Sequence, residues 1–250
     1  MKILRYEADG RDCYGVLDGD TVKQIDGTPF ENIMYTGEEV PLSSVRLLSP
    51  SKPKNIVAVG LNYRQHSVEF GMELQKEPLL FPKALSSALE PYGKIVKPGA
   101  CERLDYEAEL AIVIGKTCRK IREQEADEYI LGYTCLNDVT ARDIQGKESQ
   151  WLRAKGFYTF CPFGPWIETE IDPADLRLQA VLNGKTVQDD RTSSMLFNVQ
   201  YLVSYISGFM QLEAGDVIAT GTPGGIGPMK SGDEIKIVIE GIGELVNYVK

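Results

Sequence analysis

The sequence predicts an α+β fold that is mostly β, and three observations carry that prediction. Asp-Gly or Asn-Gly pairs stand between apolar stretches at Asp9-Gly10, Asp18-Gly19, Asp26-Gly27 and Asn183-Gly184. Such pairs suit tight hairpins, whose central residues adopt left-handed backbone angles. Ile235, Ile237 and Ile239 alternate with polar neighbours near the C-terminus, the period of a half-buried strand. By contrast, a single segment, residues 198–210, repeats apolar residues at helical spacing, through Val199, Leu202, Val203, Ile206 and Met210.

Taken in order, MKILRYEA, CYGVLDG and TVKQIDG read as short strands joined by the Asp-Gly turns, so residues 1–52 are expected to form a small N-terminal β subdomain. Pro50-Ser51-Lys52-Pro53 interrupts regular structure, because proline removes a donor and biases the preceding residue to extended geometry. The boundary falls there, and residues 53–250 are expected to form the main domain. Ile56-Val57-Ala58-Val59 suits a buried strand. A polar stretch follows, then a loop-rich segment punctuated by Pro78, Pro82, Pro91 and Pro98, an arrangement that presents functional loops on a rigid base. Residues 105–116 are expected as a strand, 121–129 as a helix and 133–141 as another strand. LRLQAVLNGKTVQDD is a further hairpin, the helix over residues 198–210 packs one face on a sheet, and DVIATGT, DEIKIVIEG and GELVNYVK close the chain in β structure.

The 250 residues suffice for a sizeable core without staples. Lys and Arg total 27 against 36 Asp and Glu, a net charge of −9, which repels polyphosphate and argues against nucleic acid as a partner. Five cysteines without a CxxC pair, with one histidine in the chain, fit neither a disulfide framework nor a zinc finger. Charges break up the first twenty residues and no later apolar run reaches spanning length, so the expectations are no membrane and a reducing cytoplasm.

DYEAELAIVIGK carries the most chemistry. In a strand, Glu107, Glu109, Ala111 and Val113 share one face. Two carboxylates two residues apart at the mouth of a buried strand need their repulsion and desolvation offset, and a divalent cation does that directly. Oxygen-only ligation favours Mg²⁺, Mn²⁺ or Ca²⁺. By spacing alone, the pair fits the solvated end of an edge strand equally well. LNDVTARDIQ gathers Asn137, Asp138, Arg142, Asp143 and Gln145, residues that ordinary turn chemistry also explains. His66 has Glu69 three residues on, close enough in a helical turn for the carboxylate to orient the imidazole. In ATGTPGGIG, a glycine-permissive turn holds Thr220 and Thr222 near backbone N–H groups, an oxyanion or carboxylate cradle that an unliganded tight loop explains as well.

GLNYRQHSVEFG, DYEAELAIVIGK, LNDVTARDIQ, LRAKGF, TSSMLF and DVIATGTPGGIG occur in this order, and together they resemble the fumarylacetoacetate hydrolase family from about Ile56 to the C-terminus. The resemblance implies a roll of mixed β-sheets with short helices, commonly a homodimer. It implies Glu107, Glu109 and Asp138 as ligands of Mg²⁺ or Mn²⁺, and His66 with Glu69 as a catalytic dyad on a segment that orders over the substrate. It implies that Arg142, Gln145, Lys155 and Thr222 hold the carboxylate and keto oxygens of a 2-oxo acid, with Lys155 counted among the catalytic groups. LFPKALSSALEPYG departs from the family pattern by carrying Leu85 and a shifted Ser-Ser, so Lys83 receives no role. The stretch from Gln145 to Lys155 is also short beside some relatives.

These expectations converge on a metal-dependent hydrolase or lyase that cleaves a C–C bond in a small 2-oxo acid, of acylpyruvate or oxaloacetate type, through a stabilised enolate. The competing enzyme reading is an isomerase and decarboxylase of dienoates such as 2-hydroxyhepta-2,4-diene-1,7-dioate. A reading from another class is a non-catalytic, metal-stabilised metabolite binder, which has no need for His66, Glu69 and Lys155 beside the carboxylates.

Overall fold

The computed structural model describes residues 1–65, 71 and 74–250. Its strands form three sheets, in agreement with the mostly β expectation. The large sheet starts at one edge with the N-terminal meander: Tyr35–Pro41, Thr21–Ile25, Arg11–Asp18 and Lys2–Ala8. It continues through Cys161–Glu168, Ile130–Asn137, Ala108–Ile114, Val217–Ala219 and Ile56–Gly60, and ends at Leu79–Pro82. Lys2–Ala8 joins Cys161–Glu168 in the register Lys2↔Glu168 and Ile3↔Ile167, and the α-amino group pairs with Glu168 at 2.6 Å. The turns follow from their residues: Asp9-Gly10 and Asn183-Gly184 have positive φ at both positions, the geometry that selects Asx-Gly.

A five-stranded sheet runs Lys185–Arg191, Arg177–Leu182, Glu234–Ile239, Gly243–Val249 and Lys94–Ile95. Ile235, Ile237 and Ile239 are all buried, as their alternation requires. A three-stranded sheet pairs Leu104–Tyr106 with both Thr140–Ala141 and Gly227–Met229.

The expected strand over residues 105–116 divides at Glu107. Leu104–Tyr106 belongs to the small sheet and Ala108–Ile114 to the large one. Side chains hold the crossing: the Glu107 N–H donates to Asn137 Oδ1 at 3.0 Å and the Ala108 N–H to Gln188 Oε1 at 2.9 Å. The expected strand over 133–141 divides likewise, into Ile130–Asn137 and Thr140–Ala141, with Asp138 and Val139 between them. The expected helix over 121–129 is a 3₁₀ segment, Glu123–Glu128, in which Ala126 is the buried residue. With one buried residue in place of an apolar stripe, the segment is held by polar contacts, Asn198 Nδ2 donating to Glu123 Oε1 at 3.3 Å and Gln200 Nε2 to Asp127 Oδ1 at 2.9 Å, and does not extend into a full helix.

The helical periodicity of residues 198–210 yields Val199–Phe209. Asn198 caps it by accepting the Tyr201 N–H at 2.7 Å, and Val199, Leu202, Val203 and Ile206 are buried in the main core. All five cysteines are free. Among the described residues, no helix is long and apolar enough to cross a membrane.

Candidate active site

The strand Ala108–Ile114 is central, paired with Ile130–Asn137 on one side and Val217–Ala219 on the other. The alternative of a solvated edge is therefore excluded for Glu109, and burial excludes it for Glu107 just before the strand. Glu107 and Glu109 are 4% and 1% exposed and Asp138 is 0% exposed. One oxygen from each of the three lies within 4.8 Å of the others. Glu107 and Asp138 meet because each sits where its chain crosses from the large sheet to the small one, and the Asp138 N–H donates to the Glu107 carbonyl at 2.9 Å.

Lysines and arginines meet two of these carboxylates. Lys155 Nζ lies 2.7 Å from Glu107 Oε2 and 2.6 Å from Asp138 Oδ2. Lys83 pairs with the other oxygen of Asp138. Arg142 pairs with Glu107, places Nε 2.9 Å from Asp105 Oδ2 and donates to Gln145 Oε1 at 2.6 Å. Burial alone would lower the Lys155 pKa, but Asp138 and Glu107 outweigh it and raise the value above that of an ordinary lysine. Glu109 differs. It accepts the Gly221 N–H at 2.7 Å, and among the described residues no lysine or arginine forms an ion pair with it. Burial, reinforced by the charges of Asp138 and Glu107, pushes its pKa well above the usual carboxylate range. Three converging carboxylates, one of them without a counter-ion, make a donor set that fits a hard divalent cation.

The glycine-rich turn turns its N–H inward, toward the chain's own carboxylate. Gly221 has φ +97°, and a Cβ there would lie 2.7 Å from Asn62 Cβ and 3.1 Å from the Val59 carbonyl oxygen, so only glycine brings this N–H to Glu109. The two threonines diverge: Thr220 donates to the Leu110 carbonyl at 2.9 Å, whereas Thr222 lines the cavity and accepts from Gln188 Nε2 at 2.9 Å.

These residues surround a cavity of about 300 Å³. Glu107, Glu109, Asp138, Arg142, Gln145, Lys155 and Thr222 all line it, so the described members of the expected constellation meet in one place. His66 and Glu69 lie outside the described residues. Just before them, Asn62 is fully buried and ties three elements together. It donates to the Thr220 and Phe197 carbonyls at 2.7 and 3.1 Å and accepts the Phe197 N–H at 2.9 Å. Leu61, next to it and lining the cavity, has φ +56°, a left-handed conformation that a leucine adopts at a cost and that clusters at functional sites.

Sequence reasoning missed Lys83, Gln188 and the apolar wall formed by Phe81 and Trp151. Lys83 is 3% exposed, yet nothing in PKALSS distinguishes it from a solvated loop lysine. Gln188, in the outer hairpin, binds both Ala108 and Thr222 across 80 and 34 residues of sequence, a separation no local pattern reveals.

A family profile described as fumarylacetoacetate (FAA) hydrolase C-terminal matches residues 55–250, and one described as Rv2993c-like, N-terminal, matches residues 1–50. A crystal structure described as 5-carboxymethyl-2-hydroxymuconate delta-isomerase from Mycobacterium smegmatis superposes with a TM-score of 0.95 at 42% identity, covering 100% of this chain and 99% of that one. The oxaloacetate tautomerase Fahd2a of Rattus norvegicus is 38% identical over 222 residues, 84% of this chain and 71% of its own. A maleylpyruvate hydrolase from Sphingobium sp. SYK-6, solved with manganese(II) and pyruvate, superposes with a TM-score of 0.83 at 29% identity over 100% of this chain and 98% of that one.

Proposed function

The chain belongs to the fumarylacetoacetate hydrolase family, and from that premise we propose that it is a divalent-cation-dependent enzyme that cleaves a C–C bond in a small 2-oxo acid of acylpyruvate or oxaloacetate type. The observation that carries this reading is the buried convergence of Glu107, Glu109 and Asp138 on the floor of a cavity ringed by Arg142, Gln145, Lys155 and Thr222. Pyruvate and manganese in the maleylpyruvate hydrolase relative support it.

Glu107, Glu109 and Asp138 would hold a divalent cation, which when bound would supply Lewis-acid polarisation of a keto oxygen. The chain's own groups do the rest. Arg142, fixed against Asp105, and Gln145 receive the substrate carboxylate. Lys155 and Thr222 donate where negative charge accumulates on the keto oxygen. With oxaloacetate no water attacks: the bond to the distal carboxylate breaks as CO₂ leaves, its electron pair passes to the enolate and a proton from solvent adds at the CH₂ carbon. With an acylpyruvate, His66, with Glu69 as its partner in the expected dyad, takes a proton from water, whose oxygen attacks the distal carbonyl. The bond between that carbonyl carbon and the neighbouring CH₂ breaks, and its electron pair passes to the enolate. His66 then returns the proton to the CH₂ carbon, giving a carboxylic acid and a 2-oxo acid. The isomerase and tautomerase names among the relatives favour a second reading, in which the same enolate stabilisation serves isomerisation or decarboxylation of a dienoate without an attacking water.

One panel tests both. Chelated enzyme, and enzyme refilled with Mg²⁺ or Mn²⁺, is assayed on acetylpyruvate, oxaloacetate and 2-hydroxyhepta-2,4-diene-1,7-dioate. Metal-restored cleavage of acetylpyruvate or oxaloacetate is the expected result. Conversion of the dienoate alone replaces the first reading with the second, and full activity in chelated enzyme overturns both.

A further inference from the structure

One wall of the cavity carries no charge. Trp151 and Phe81 meet edge to face, with ring centroids 5.2 Å apart and planes at 71°, an arrangement favoured by the ring quadrupoles. Both line the cavity, as does Gly60. Gly60 is the seat of the indole: a Cβ there would lie 2.6 Å from Trp151 Cζ3 and 3.2 Å from Cη2. The backbone fixes the wall relative to the polar groups, because the Lys155 N–H donates to the Trp151 carbonyl at 2.9 Å and Lys155 Nζ sits 5.3 Å from the Phe81 ring centre. Trp151 and Lys155 are thus four residues apart on one helical turn, a spacing that puts both on one face, and both line the cavity.

We infer that the Phe81–Trp151 pair, seated on Gly60, is the specificity wall of the site, against which the distal end of a 2-oxo acid packs, so that this end is short and uncharged and, of the two substrate types in the proposed reading, an acylpyruvate is preferred over oxaloacetate. The inference rests on the proposed reading of the site and goes further by assigning residues to substrate choice. Two features lead to it. The cavity of about 300 Å³ is at the small end for ligand sites, and the carboxylate floor and its cations occupy one side of it. The two lining cations are shared among protein carboxylates, Arg142 with Asp105 and Glu107 and Lys155 with Glu107 and Asp138, and in the proposed reading their remaining donors meet the substrate's own carboxylate and keto oxygen. A second carboxylate at the distal end would thus be desolvated against aromatic carbon without a partner among the described lining residues. A methylene there gains about fourfold in affinity, the equivalent of ~0.8 kcal/mol per buried CH₂, until the chain meets the indole.

Binding separates this inference from the reading beneath it. Calorimetry on the Mg²⁺-loaded protein is run with pyruvate, 2-oxobutyrate, 2-oxopentanoate, 2-oxohexanoate and 2-oxoglutarate. In the wild-type protein affinity should rise by about fourfold per methylene to an optimum and then fall. Trp151→Ala should move that optimum to a longer acid, and Gly60→Ala, which pushes the indole inward, to a shorter one. Trp151→Leu, which keeps an apolar filler, gives an intermediate optimum and guards against loss of fold in the alanine variant. 2-Oxoglutarate should bind at least about tenfold more weakly than 2-oxopentanoate, the penalty of an unpartnered buried charge. The same optimum in every variant, or 2-oxoglutarate binding as tightly as 2-oxopentanoate, overturns the wall while leaving the proposed site intact. Failure of every acid, pyruvate included, to bind the wild-type protein overturns the site and the wall together.

Discussion

The same kinds of ion pair occur in two places in this molecule with opposite surroundings. In the site, Lys83, Asp138, Lys155, Glu107, Arg142 and Asp105 form a continuous chain of opposite charges whose side chains are at most 12% exposed. On the outer face of the five-stranded sheet, Arg177 pairs with Asp189 at 2.6 Å, and Arg191 with Asp175 at 2.7 Å and Glu240 at 3.3 Å, all with side chains 42–59% exposed. Distance does not distinguish the two groups. Solvent does: each outer charge keeps most of its hydration when its partner leaves, whereas a partner lost inside strands a charge in a medium that cannot solvate it.

The largest effects should therefore come from breaking the inner chain. Lys83→Met leaves Asp138 with one cation instead of two and should destabilise the protein by about 3 kcal/mol, because Lys155 still compensates the charge while one buried oxygen loses its donor, read from the urea midpoint of metal-free protein. A loss below ~1 kcal/mol would mean that water reaches Asp138 and that the inner chain resembles the outer one.

Glu109 is the carboxylate that the inner chain of charges leaves without a cation among the described residues. Glu109→Gln keeps an acceptor for the Gly221 N–H and removes the charge that burial, Asp138 and Glu107 disfavour. Metal-free Glu109→Gln should be as stable as the wild-type protein or more so. Saturating Mg²⁺ or Mn²⁺, at about 100 times its Kd, should stabilise the wild-type protein by ~2.7 kcal/mol, and the variant should lose most of that gain. An equal thermal shift in both proteins would remove Glu109 from the ligand set.

Alkali probes a neutral buried counterpart. Cys135 and Cys161 are fully buried, and desolvation pushes both thiols up to about 12. With the folded value above the unfolded one, the stabilisation is complete below pH ~9 and fades as pH rises toward ~12, because the unfolded chain releases its protons first. Between pH 8 and pH 10 the loss should be about 1.4 kcal/mol per thiol, and the Cys135→Ala/Cys161→Ala double variant should show a correspondingly shallower decline in urea midpoint. An unchanged slope would mean that these thiols do not govern alkaline stability.

How much of this was legible beforehand depends on the range of the interaction that decides each feature. The hairpins at Asp9-Gly10 and Asn183-Gly184 and the helix Val199–Phe209 follow from residues within a few positions of one another, so turn chemistry and periodicity revealed them. Glu107, Glu109 and Asp138 stood out as motif residues, but their meeting depends on two chains crossing between sheets at Glu107 and Asp138, and strand periodicity cannot register a change of sheet. Lys83, Gln188 and Trp151 act through partners distant in sequence: Asp138 is 55 residues from Lys83, and Thr222 is 34 from Gln188. The 3₁₀ segment Glu123–Glu128 was expected as a helix because its composition suits one, and only packing shows that no stripe holds it.

The smallest effect belongs to the outer pairs, and its smallness is the point. Arg177 reaches Asp189 with two nitrogens, Nε at 2.9 Å and Nη2 at 2.6 Å, the bidentate geometry that would make a strong pair if it were buried. Here water competes for every donor, and fixing two long side chains costs entropy comparable to the gain. Arg177→Ala should leave the urea midpoint unchanged within error at ordinary salt, and adding salt should not separate variant from wild type. Arg177 neither lines the cavity nor pairs with its carboxylates, so cation affinity should be untouched. If Arg177→Ala destabilised the protein as much as Lys83→Met, geometry rather than solvent access would be setting the worth of an ion pair in this fold.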